Sequence, residues 1–148
     1  MPQVSRTKTF PFSPPSIFQV ISDVELYPEF VAGMDKIVIL EQDKKHNTMK
    51  VEYYINIVKN FRYTILMKLE PDKCISWEFL SGDLFKKNSG RWDFRSILEN
   101  ETEVVYSLDV EFKLFAPSFI VDKLVSQSLP QMMNAFEARI RELKRKQA

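Results

Sequence analysis

The residue types that build most protein-borne reaction centres are almost missing from this chain. Among 148 residues, cysteine occurs once (Cys74) and histidine once (His46). A single cysteine excludes an internal disulfide, so the fold does not depend on an oxidising compartment. One Cys and one His also exclude a protein-borne zinc site of the usual ligand sets. Glycine occurs three times, too seldom for the known glycine-rich phosphate loops. No apolar run approaches the ~20 residues that cross a bilayer as a helix. The opening stretch MPQVSRTKTF lacks the apolar core of a signal peptide and the Arg-rich amphipathicity of a transit peptide. Charge of one sign is lacking too: 21 Lys and Arg against 20 Asp and Glu leave +1. No global field then selects nucleic acid or an anionic membrane, and no DNA partner is expected. These absences predict a soluble cytoplasmic protein without a metal or cofactor.

What is there is ordinary in amount and unusual in kind. The chain is 45% hydrophobic and 28% charged, a globular rather than a disordered composition. Its length predicts one domain, residues 1–148, large enough to bury about 68–70% of its unfolded surface. Aromatic residues make up 13%, twelve of them Phe. Large stiff rings line dry cores and pockets for apolar ligands alike.

Gln3 to Phe10 reads as a strand by its Val and Thr content, with Arg6 and Lys8 on one face and no clear inward phase. Ser13-Pro14-Pro15-Ser16 is a helix start, with a Ser cap and prolines where a missing N–H costs nothing. Ile17, Phe18, Val20, Ile21 and Val24 follow at helical spacing. Tyr27-Pro28 ends that helix, because a residue before proline avoids helical angles. A second short turn, Pro28 to Val31, is closed by Gly33. From Lys36 the period changes to two, and six strands follow to Leu114. Their apolar positions include Met49-Val51-Tyr53-Ile55-Ile57, Phe61-Tyr63-Ile65-Met67-Leu69 and Val104-Tyr106-Leu108-Val110-Phe112. Strict alternation between short turns predicts antiparallel neighbours with one dry face. A longer loop is expected from Ser81-Gly82 to Gly90.

From Pro117 to about Lys144, apolar residues recur at Val121, Leu124, Val125, Leu129, Met132, Met133, Phe136, Ile140 and Leu143. This spacing predicts one amphipathic helix of about 28 residues, roughly 40 Å long. Pro130 interrupts it and forfeits the bond to the Ser126 carbonyl, so a kink is expected there. The fold class is therefore α+β, a curved antiparallel sheet wrapped around a long C-terminal helix, with two short helices after the first strand. Tyr and Met on the inward positions leave a filled core and a ligand cavity equally open.

No catalytic set stands out. His46 sits in the polar turn Asp43-Lys44-Lys45-His46-Asn47, far from any expected cleft. Asp23, Glu25 and Glu29 form an acidic cluster that reads more simply as helix-end charge than as an acid–base pair. Two segments carry apolar residues beside lysines: Leu84-Phe85-Lys86-Lys87, and Leu114-Phe115 after Lys113. Each reads either as a wedge for a lipid interface or as a plug that closes one end of the fold from inside.

Three blocks carry a resemblance. Asp23-Val24-Glu25-Leu26-Tyr27-Pro28-Glu29-Phe30 is the first. Gly82-Asp83-Leu84-Phe85-Lys86 with Gly90-Arg91-Trp92-Asp93-Phe94 is the second, and Met133-Asn134-Ala135-Phe136-Glu137-Ala138-Arg139 the third. Their order resembles the coenzyme Q-binding / RatA START-like family, within the polyketide cyclase (SRPBCC) superfamily. That resemblance implies a helix-grip fold and a hydrophobic tunnel that takes a lipid or polyprenyl quinone such as coenzyme Q. On this reading Tyr53, Tyr63, Trp77, Trp92, Tyr106, Phe112, Met132, Met133 and Phe136 line the tunnel. Leu84, Phe85, Lys86, Lys87, Leu114 and Phe115 form its entrance or touch the inner-membrane surface. The expected function is non-enzymatic carriage of that hydrophobic molecule in support of respiratory quinones. The same resemblance allows a ribosome-directed toxin that blocks subunit association, and a cyclase-like enzyme.

Overall fold

A computed structural model describes residues 3–57 and 59–147. Strand β1 (Gln3–Phe10) leads into helix α1 (Pro14–Ser22) and a 3₁₀ turn (Val24–Glu29). Six strands follow: β2 (Met34–Asp43), β3 (Thr48–Ile57), β4 (Lys59–Glu70), β5 (Cys74–Gly82), β6 (Phe85–Leu98) and β7 (Glu101–Phe112). Helix α2 (Ser118–Lys123), a π turn (Leu124–Ser128) and helix α3 (Leu129–Gln147) complete the chain. The seven strands form one antiparallel sheet in the order β1-β7-β6-β5-β4-β3-β2. Its inner face grips the C-terminal helix, as the alternation requires.

The alternation is obeyed most closely in β3 and β7. Met49, Val51, Tyr53, Ile55 and Ile57 are buried, as are Val104, Tyr106, Leu108 and Val110. On β1 the inner phase holds Phe10, which is buried, and Lys8, whose ammonium meets Asn134 and Glu137 on α3. A lysine can sit on that face because β1 is the sheet's edge, where its stem lies along the helix and its charge stays wet.

Three local expectations change. Helix α1 ends at Ser22, before Tyr27-Pro28, and Pro28 lies inside the 3₁₀ turn. Ser13 occupies the cap position, but its carbonyl rather than its hydroxyl takes the first bonds, from the N–H groups of Ser16 and Ile17. The loop expected from Ser81 to Gly90 is mostly strand, since β6 starts at Phe85. A bulge between Phe85 and Lys87 puts both Phe85 and Asn88 inside, which breaks the two-residue period. At Gly90 an added Cβ would lie 2.7 Å from the Trp77 ring, so only glycine lets that ring cross the strand.

A kink is expected at Pro130, and the change of helix type lies just upstream of it. A π turn at Leu124–Ser128 interrupts the α-helical ladder there, and the Ser126 hydroxyl donates to the Asp122 carbonyl at 2.5 Å. Pro117 is the N-cap residue of α2. Met133, Phe136 and Ile140 present the buried face of α3; the side chains of Val125 and Leu129 lie outside the described positions.

Candidate functional site

The three sequence blocks meet around one ring. Phe136 is fully buried and packs edge-on against Tyr27 (5.0 Å), Phe30 (5.4 Å) and Trp92 (5.4 Å). The Tyr27 hydroxyl donates to the Ile21 carbonyl, tying the 3₁₀ turn to the end of α1. Glu29 takes a 2.8 Å bond from the Arg139 guanidinium, which also lies over Phe30. Glu29 of the acidic cluster thus forms an ion pair that clamps helix to turn. His46 is exposed on the β2–β3 turn and bonds Asp43 at 2.7 Å, far along the strands from this junction.

Above Phe136 the sheet and helix separate. A small chamber of about 60 Å³ lies among Tyr27, Tyr53, Tyr63, Trp77, Trp92 and Phe136. Met34, Tyr63, Tyr106 and Met132 also border a larger cavity of about 240 Å³, so the two adjoin. Phe85, Asn88, Leu108, Ile55 and Ile57 wall the larger one from the sheet, and Leu124 and Met132 wall it from the helix. Its mouth is marked by exposed lining residues: Ala32, Gly33, Asn56, Lys123 and Gln131. Gly33 has φ +86° and its carbonyl accepts from the Asn56 N–H at 2.7 Å, which holds the rim loop to β3.

Seven of the nine residues expected to line a tunnel border these two spaces: Tyr53, Tyr63, Trp77, Trp92, Tyr106, Met132 and Phe136. The other two stand elsewhere. Met133 is buried one position round the helix, and Phe112 packs on Phe85 from the end of β7 (5.3 Å). Alternation identifies a face but not where that face leaves a gap. For the same reason it did not point to Asn88, Leu108, the Val31–Met34 rim or Gln131.

The residues expected at an entrance divide. Leu84 and Phe85 are 2% exposed, so neither forms a surface wedge; Phe85 is part of the cavity wall. Lys86 and Lys87 are engaged by Glu111 (3.8 Å) and Asp109 (2.6 Å) on β7. Leu114 and Phe115 are 95% and 93% exposed, which removes the inside-plug alternative for that segment. They sit at the tip of a turn closed by the Ala116 N–H on the Lys113 carbonyl, and the Lys113 N–H is anchored on Leu84.

Chemically the site is apolar with neutral polar points. Burial raises the phenol pKa of Tyr27, Tyr53, Tyr63 and Tyr106 well above the ordinary value, so all four stay protonated at neutral pH. Cys74, beside Arg91, is pushed up to about 11, chiefly by burial, and is an inert thiol at neutral pH.

A seven-stranded sheet gripping a C-terminal helix over an aromatic-walled cavity defines the START-like, helix-grip class. The chain belongs to the family described as polyketide cyclase / dehydrase and lipid transport, which matches residues 10–137. It is 31% identical over 144 residues to the ribosome association toxin RatA of Vibrio cholerae, covering 97% of this chain and 98% of that one. Its fold matches the Zhui aromatase/cyclase of Streptomyces sp. R1128 with TM-score 0.85 at 17% identity, over 95% of this chain and 93% of that chain. A START superfamily protein from Mycobacterium smegmatis matches with TM-score 0.84 at 24% identity, over 95% and 98%. Both likenesses speak to the fold.

Proposed function

We propose that this chain binds and carries an apolar ligand, a polyprenyl quinone or another lipid, rather than transforming it. The observation that carries this reading is the aromatic-walled cavity between sheet and helix, open at Gly33 and Lys123. Ligand burial there contributes about 25 cal/mol per Å², less the cost of ordering the ligand. Tyrosines held neutral orient a ligand oxygen but supply no base at neutral pH, which favours carriage over cyclase chemistry. The exposed Leu114-Phe115 turn, next to Lys113 and before α2, suits brief contact with an anionic lipid surface during loading. Protein purified from a bacterium and extracted with organic solvent is expected to release a quinone or lipid near one per chain by mass spectrometry. Extracts consistently empty of such molecules would overturn the reading.

A second reading rests on the relative named a ribosome association toxin at 31% identity. The chain would then bind a ribosomal subunit. Salt-dependent co-sedimentation with isolated subunits is the expected sign, and no co-sedimentation at low salt would remove it.

A further inference from the structure

We propose that Asn88 is the polar anchor of the cavity and selects a cargo whose ring bears a carbonyl oxygen. This deepens the carrier reading above and rests on it. Asn88 is 5% exposed, carried inside by the bulge at the start of β6, and its side chain borders the larger cavity. A buried amide offers one acceptor oxygen and two N–H donors.

The orientation of that amide is set by its neighbour. The Trp77 indole nitrogen lies 3.1 Å from Asn88 Oδ1. An indole N–H can only donate, so the amide oxygen must face it. The NH₂ group therefore points away from β5, and it has no hydrogen-bond partner among the described residues. A donor that opens on a largely apolar cavity is met best by an acceptor that the ligand itself brings in. The surrounding wall is Ile55, Ile57, Phe85 and Leu108, with the neutral phenols of Tyr63 and Tyr106. A group that satisfies Asn88 must accept a hydrogen bond while the rest of it stays apolar. A ring ketone or quinone carbonyl meets both demands, whereas a hydrocarbon leaves the donors bare and an ammonium repels them. About 240 Å³ is the liquid share of roughly eight waters at ~30 Å³ each. One or two fused rings fit in that space, and a longer chain must leave through the mouth.

The test uses two probes of nearly equal shape, 1-tetralone and tetralin, titrated calorimetrically into the full chain after removal of co-purified lipid. The wild type is expected to bind the ketone roughly three- to tenfold tighter, the effect of one net hydrogen bond. Asn88→Leu is expected to bind the two probes alike, because the ketone then has no amide donor to meet. Equal binding by the wild type, or a ketone preference that survives Asn88→Leu, would overturn the proposal. Failure of both probes to bind the wild type would instead overturn the carrier reading beneath it. Should Asn88→Leu not fold, the infrared band of carbonyl-labelled tetralone bound to the wild type decides. A band lowered from its position in cyclohexane is the expected result, and an unmoved band overturns the assignment.

Discussion

The two ends of the sheet–helix sandwich are built from the same residue types and differ in how they close. At the end near α1, Phe10, Ile17, Ile21, Val104, Phe136 and Ile140 are buried and interlock. At the other end, Leu108, Tyr63 and Ile57 face a helix that stands off, and a cavity remains. The difference lies in the helix. Past Leu129 it is regular and lays Met133, Phe136 and Ile140 on the sheet, while its first part is a short α segment and a π turn. The closed end supplies stability, and the open end supplies space.

The sharpest way to break this contrast is at its pivot. Phe136→Ala removes the ring that Tyr27, Phe30 and Trp92 all contact, so a loss of about 3–5 kcal/mol is expected in denaturant unfolding. A loss under about 1 kcal/mol would mean that the blocks do not converge there. A matched pair compares the two ends directly. Val104→Phe overpacks the closed end and is expected to cost about 1–3 kcal/mol. Leu108→Phe fills the cavity, and its effect on stability is expected to stay within about 1 kcal/mol. The same change should lower the recovery of bound lipid. Equal costs at both sites would erase the distinction.

The smallest effect concerns how the helix is held at the sheet edge. Glu137 forms an ion pair with Lys8 (2.7 Å) and accepts a hydrogen bond from Arg141 (2.9 Å). Partial burial pushes its carboxyl pKa up, but these two partners outweigh that and hold it below the ordinary value. A lowered folded-state pKa stabilises above the unfolded value, and the benefit is lost as pH falls through the folded value. Wild type should therefore exceed Glu137→Gln by about 1 kcal/mol or less at neutral pH, after solvent screening. That gap should close in acid, as followed by unfolding at a series of pH values.

Legibility followed regularity. Strands β3 and β7 were readable because their period of two is unbroken, and the buried face of α3 because its steps are three and four. The start of β6, Phe85 to Gly90, reads as loop because its bulge shifts Asn88 into phase with Phe85. The same misreading hid Asn88 and turned Leu84 and Phe85 into candidates for the surface. The tyrosines and Trp92 were findable as inward positions. Nothing in the spacing separated them from Met133 and Phe112, which lie on the same face and border neither of the two spaces described.

What the sequence determined by itself is the class of fold: alternating apolar positions need a cover, and one long amphipathic segment is available to provide it. The three blocks extended this to a START-like domain. Only the tertiary structure decided where sheet and helix fail to meet, because a gap depends on the distance between elements far apart in the chain. It also decided which way Asn88 points, since that is set by an indole eleven residues away whose proton has nowhere else to go.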